Sequence, residues 1–205
     1  MIRHAKNSDI PKILDLLEQV CMVHHNIRPD LFKGPATKYT EDELKAIIAN
    51  DQTPVFVCVD EVPNAVAVKA PAGNASADRA SEAEANVKEI LSDANTVCGA
   101  SEEDAVTVTN KTEEVKGYAF CIFKQYVNDN ILTDIKTLYI DDLCVDETLR
   151  GQHIGKELYE YVLQFAREQG CYNVTLNVWA GNDSAIAFYE KRGLKPQKIG
   201  MEVIL

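Results

Sequence analysis

Long apolar runs are missing from this chain: no stretch of eighteen apolar residues occurs in its 205, so no membrane span is expected. Paired cysteines are missing too. Cys21, Cys58, Cys98, Cys121, Cys144 and Cys171 are scattered with no C-x-x-C pair, which argues against a metal ribbon or a disulfide frame and for buried reduced thiols. No G-x-G-x-x-G follows an early strand, which excludes a dinucleotide-binding domain. Basic residues are few, 21 Lys and Arg against 32 Asp and Glu for a net charge of -11, so a nucleic-acid partner is not expected. The opening Met1-Ile-Arg-His-Ala-Lys lacks the apolar core of a secretory signal. A cytoplasmic location is the expectation.

What is present is enough apolar content, 46%, for one domain with a full core. The charge is uneven. Residues 150–205 carry 7 basic and 6 acidic side chains, while the rest of the chain is acidic throughout. An anionic ligand would therefore sit in that last quarter, since local charge outweighs net charge within a Debye length of about 8–10 Å.

The pattern alternates strands and helices. Met1 to His4 reads as an edge strand. Asn7-Ser-Asp-Ile-Pro11 opens a helix with an apolar stripe of Ile13, Leu16, Leu17 and Val20. Thr40-Glu-Asp-Glu43 is a capping box for a second helix. Val55 to Val59, Gly117 to Phe123 and Lys136 to Val145 read as buried strands. An amphipathic helix begins at Ile154 and stops at Gly170. A strand over Val174 to Trp179, a helix from Ser184 ended by Gly193, and a last strand over Met201 to Leu205 complete the set. Between about 62 and 115 the composition turns to Ala, Glu, Ser, Asp and Asn, an acidic insertion expected to be flexible. It is read as an extended hairpin carrying a weak helix near Ser81 to Leu91. It serves either as a substrate lid or as a solvated excursion.

Two segments carry chemistry. Leu143-Cys-Val145 runs through a short turn into Arg150-Gly-Gln-His-Ile-Gly-Lys156. Such a strand-turn-helix junction aims unpaired N–H groups and a helix dipole at one point, an anion cradle to which Gly151, Gln152, His153, Ile154 and Gly155 contribute backbone. Arg150 and Lys156 add charge at its rim. The second segment is Asn182-Asp-Ser-Ala-Ile-Ala-Phe-Tyr189. Upstream, Asp141 and Asp142 sit side by side in a strand, where aspartate is disfavoured and a reason is owed. Alternation puts Asp141 with Tyr139 and Leu143 on one face, and Asp142 with Ile140 and Cys144 on the other. A bulge at this point is the structural alternative.

Taken together these segments resemble the GNAT N-acetyltransferase superfamily. Arg150 and Gly155 match its Q/R-x-x-G-x-G/A turn, His153 stands where the first glycine belongs, and Asn182 to Tyr189 followed by Gly193-Leu194 matches its second cofactor helix. Histidine is among the non-glycine residues that tolerate unusual dihedrals, so the turn is expected to persist with the imidazole outward.

The resemblance implies an α/β (α+β) fold with a mixed, mostly antiparallel sheet splayed between the fourth and fifth strands and flanked by helices. It implies acetyl-CoA as cosubstrate, without a metal, and direct transfer to a primary amine. Leu143, Cys144 and Val145 would pair with the pantetheine arm. The turn from Arg150 to Lys156 would hold the pyrophosphate, and Asn182 and Tyr189 would contact the arm and the sulfur. Tyr189 would be the general acid, Asp141 the base, and Asp141 and Asp142 would hold a cationic acceptor, a small amine or a peptide or lysine amine. Cys144 would be a packing residue. A GNAT-fold module that binds acetyl-CoA without turnover is the alternative, and a homodimer is compatible with either.

Overall fold

The computed structural model describes residues 1–62 and 112–205, and the insertion's hairpin and helix lie outside the described residues. The described part builds one sheet in the order β1-β2-β3-β4-β5, from β1 (Ile2–His4), β2 (Val55–Val62), β3 (Thr112–Gln125), β4 (Lys136–Val145) and β5 (Asn173–Leu176). β1 runs antiparallel to β2 and β3 antiparallel to β4, while β5 lies parallel to β4. The mixed, mostly antiparallel sheet expected from the sequence is therefore present.

Among the described residues four α-helices cover it: α1 (Ile10–Ile27), α2 (Glu41–Ile48), α3 (Ile154–Glu168) and α4 (Asp183–Glu190). α1 begins after a 3-10 turn with Pro11 in its first turn, where the missing N–H costs nothing. Its stripe Ile13, Leu16 and Leu17 is fully buried, packed with Leu44 of α2 against Val57, Val59, Tyr118 and Phe120. α2 is fixed by its capping box: Thr40 Oγ1 accepts from Glu43 N and Glu43 Oε2 accepts from Thr40 N at 2.7 Å. The other face of the sheet buries Leu158, Tyr159 and Val162 of α3 against Phe56, Ala119, Cys121, Leu138 and Ile140. Burial of each large side chain is worth roughly 1.5–3 kcal/mol, so α1 and α3 clamp the sheet from its two faces.

Two features of the sheet depart from a plain reading of the sequence. The β3–β4 register shifts between Phe120 and Cys121, pairing Phe120 with Asp142 but Cys121 with Ile140, so Asp141 is the extra residue of a bulge. One inserted residue flips the later alternation. Ile140 thus packs on the α3 side together with Leu143 and Val145, while Cys144 packs on the α1 side. The expectation that Asp142 shares a face with Ile140, and Asp141 with Leu143, is corrected accordingly. The final strand is also not formed. Met201 to Leu205 has no sheet partner among the described residues, and Met201, Val203 and Ile204 are at least 77% exposed. Alternation alone signals a strand's pattern but supplies no partner for it.

The β4–β5 pairing runs only from Thr137 with Asn173 to Ile140 with Leu176, although β4 continues to Val145. The last five residues of β4 thus lie beyond the β5 ladder. This is the splay between the fourth and fifth strands, and it opens on the side where α3 and α4 begin.

Candidate active site

The turn after β4 is built from its own residues upward. Asp146 is 6% exposed and accepts from Lys12 Nζ at 2.6 Å, and from the Thr148 backbone N–H at 3.0 Å and hydroxyl at 2.7 Å. Its Lys12 partner, with Thr148, holds the carboxyl well below the usual range. Lys12 belongs to α1, so one ion pair anchors the turn to the opposite helix. Gln19 of α1 adds a second tie, its side-chain oxygen accepting from Glu147 N at 3.0 Å. Asp146-x-Thr148 is a local Asx-turn signal that the sequence does display.

Beyond this anchor Gly151 adopts φ +86° and His153 φ +65°. His153 is exposed and caps α3 with left-handed backbone and no side-chain bond, so the turn persists without the motif glycine and with the imidazole outward. The first intrahelical bond is Glu157 N to His153 O at 3.0 Å, which leaves the N–H groups of Ile154, Gly155 and Lys156 ahead of the helix ladder. Arg150 and Gln152 are exposed at the same place. Lys156 lies 3.7 Å from Glu160 along the helix, an exposed pair of little energetic weight.

α4 comes to this turn through aromatic packing. A Cβ on Gly155 would lie 3.5 Å from both the Phe188 ring and Val145 Cγ2, so glycine lets the start of α3, the end of β4 and α4 meet. Tyr159 of α3 contacts the Tyr189 ring edge-on, with centroids 6.0 Å apart. Arg192 stacks on Phe188 at 3.5 Å and donates to its carbonyl at 2.7 Å, closing the helix end. Asn182 caps α4, its Oδ1 accepting from Ala185 N at 3.2 Å, a structural duty the sequence pattern alone does not separate from ligand contact.

Tyr189 is half-buried, and among the described residues its hydroxyl has no hydrogen-bond partner. Burial first, then the charge on Asp142, pushes the phenol well above its ordinary value. It keeps its proton at neutral pH. Asp142 in turn accepts from the Tyr118 hydroxyl at 3.0 Å, and burial raises its carboxyl to about 6, against a usual 3.8. Asp142 thus acts on the Tyr189 phenol through its charge. Cys144 is 5% exposed with its thiol pushed to about 12 by burial, the profile of the packing residue the sequence suggests.

Asp141 has different company. Its Oδ2 accepts from Lys38 Nζ at 2.6 Å and from Tyr39 OH at 2.8 Å. Around this pair, Tyr139 accepts from Asn177 Nδ2 at 3.1 Å, and Phe32 meets Trp179 edge-on at 5.3 Å and His24 at 5.1 Å. Burial and then Lys38 depress the His24 imidazole. The segment after α1 therefore faces the residues that follow β5, and it brings Lys38 to the bulge. Sequence reasoning missed Lys12, Lys38, Tyr39, Tyr118 and Asp146. All but Asp146 act over more than twenty positions, and no local spacing marks them.

With this geometry established, comparison with known proteins is direct. The profile of the Acetyltransferase (GNAT) family matches residues 76–194, more than half of the sequence. The chain belongs to that family. Glucosamine 6-phosphate N-acetyltransferase of Arabidopsis thaliana is 35% identical over 66 residues, 32% of this chain and 42% of that protein. Human N-acetyltransferase 8B is 42% identical over 69 residues, 34% of this chain and 30% of that protein. The matches thus span less than half the length of these curated relatives. Among solved structures, a tetramutant of the BH1408 protein from Bacillus halodurans superposes with a TM-score of 0.72 at 23% identity, covering all of this chain and 99% of that one. That likeness shows the fold. Among the described residues no helix is long and apolar enough to cross a membrane, and no group of three or more His, Cys, Asp or Glu is placed to hold a metal.

Proposed function

We propose that the protein is an N-acetyltransferase that moves the acetyl group of acetyl-CoA directly to a primary amine within a ternary complex. The observation that carries this reading is the meeting of α3, α4 and the end of β4 that lies beyond the β5 ladder, with a Tyr189 hydroxyl that has no hydrogen-bond partner among the described residues. Family membership supports acetyl-CoA as cosubstrate. Gly151 to Lys156 would present N–H groups to the pyrophosphate, with Arg150 and Lys156 at the rim. Leu143, Cys144 and Val145 lie beyond the β5 ladder and would offer backbone groups to the peptide-like arm, alongside Asn182. Placement of the thioester beside the acceptor supplies much of the rate, and backbone donors support the carbonyl oxygen.

The reaction needs one proton removed and one supplied. The amine nitrogen attacks the thioester carbon, a carboxylate accepts the N–H proton, the C–S bond breaks, and Tyr189 protonates the departing sulfur. Asp141 is the base expected from the family pattern, yet its outer oxygen already serves Lys38 and Tyr39. Asp142, whose carboxyl burial raises to about 6, suits proton acceptance better, and Asp141 suits holding the ammonium. This reading exchanges the two roles expected from the sequence.

The acceptor is a small amine in this reading, in line with relatives named for glucosamine 6-phosphate, or else a peptide or lysine amine. The acidic surface supports an acceptor other than nucleic acid. A cytoplasmic protein, as a monomer or a homodimer, fits this chemistry. Thiol release from acetyl-CoA across a panel of amines tests the proposal. Amine-dependent release that falls in Tyr189→Phe supports it, and tight acetyl-CoA binding with no release for any amine contradicts it.

A further inference from the structure

We infer that Tyr118 is a positioning residue for the proton-accepting carboxylate, holding one oxygen of Asp142 and with it the side-chain rotamer. This rests on the assignment of Asp142 as base. Tyr118 lies on β3, fully buried, opposite Cys144 and two residues before Phe120, where the ladder reaches the bulge. Its ring is wedged edge-on against Phe120 at 4.9 Å, and Phe120 packs in turn on Tyr39 at 5.7 Å. A buried phenol held at both ring and hydroxyl has little freedom, so the 3.0 Å bond to Asp142 Oδ2 fixes the carboxylate rotamer.

The bulge makes this bond possible. Without the extra residue, alternation from Ile140 would leave Asp142 on the α3 side, away from the side where Tyr118 packs. The groups acting on Asp142 are few. Tyr118 from β3 donates to it, Lys38 from the segment before α2 favours its charge, and Asp141 beside it opposes that charge. The Leu143 N–H also favours the carboxylate, while Tyr139, Cys144 and Tyr189 feel the charge of Asp142 from β4 and α4. Among the described residues, Tyr118 is the one side chain that donates a hydrogen bond to it.

Removing a donor from a carboxylate disfavours its charged form. The test is carboxyl ¹³C NMR on the full chain labelled at aspartate, with the Asp142 signal assigned by its loss in Asp142→Asn. The wild type is expected to titrate near 6. Tyr118→Phe, which keeps the ring, is expected to move the midpoint up by about half to one pH unit, about three- to tenfold in proton affinity. The acidic limb of kcat/KM for amine-dependent thiol release should move with it, and calorimetric CoA affinity should stay unchanged. The Tyr118 effect should vanish in the Asp142→Asn background. An unmoved midpoint overturns the role of Tyr118 and leaves the base assignment intact. Loss of the Asp142 side chain without change in kcat or in the acidic limb overturns the base assignment itself.

Discussion

The two halves of the proposed site are built by different means. The cofactor half, from Leu143 to Lys156 and from Asn182 to Tyr189, is made of consecutive residues whose local geometry follows largely from their own sequence, with Lys12 and Gln19 of α1 as its two outside anchors. The acceptor half joins Lys38 and Tyr39 to Asp141, and Tyr118 to Asp142, across 24 to 103 positions. The first half is stiffened by a turn and two helix caps. The second is stiffened by one bulge and by side chains that arrive from elsewhere. The lesson is a division of labour: a portable cofactor cradle beside an acceptor wall that only the folded sheet assembles.

Substitutions can break this comparison. The largest effect is expected at the point where the halves meet. Tyr189→Phe should lower kcat by about 10²- to 10⁴-fold with CoA affinity nearly unchanged by calorimetry, and an unchanged kcat would remove the acid role. Next, Asp142→Asn should separate catalysis from stability. The folded carboxyl titrates near 6 against 3.8 in the unfolded chain, so its stabilising contribution is full below about pH 4 and is lost as pH rises through 6. The amide escapes that loss. Thermal or urea unfolding above pH 7 should therefore show Asp142→Asn more stable than wild type by on the order of 1–3 kcal/mol, while turnover collapses.

Within the cofactor half alone, Arg150→Ala should weaken CoA binding by about three- to tenfold, with the difference shrinking at high salt as expected for an exposed charge. Within the acceptor half, Lys38→Met should change KM for the amine several-fold and leave CoA affinity untouched, because its contact is Asp141. The smallest effect belongs to His153→Gly. The left-handed position favours glycine, so CoA affinity should be equal or slightly tighter, and a large loss would make the imidazole itself a ligand.

The same contrast explains what could be read from the residues in order. The helix at Ile154, the capping box at Thr40 and the run into Arg150 follow from periodicity and caps, which act within a few positions. Even the odd His153 was legible as a tolerated left-handed residue. The bulge at Asp141 was visible only as two aspartates in an unfavourable place, and its exact register depends on β3. The Lys38–Asp141 pair had no local signal at all. Strand alternation misled at Met201 to Leu205, which has no partner strand among the described residues, since a pleat pattern is necessary for pairing but does not create it.

In this proposal the turn after Val145 and the hydroxyl of Tyr189 serve one bound coenzyme. A crystal of the full chain soaked with CoA is the decisive experiment. Density is expected with the pyrophosphate on the amides of Gly151 to Lys156, the arm along Leu143 to Val145, and the sulfur beside the Tyr189 hydroxyl. Coenzyme bound on another surface, or with its sulfur remote from Tyr189, would contradict it.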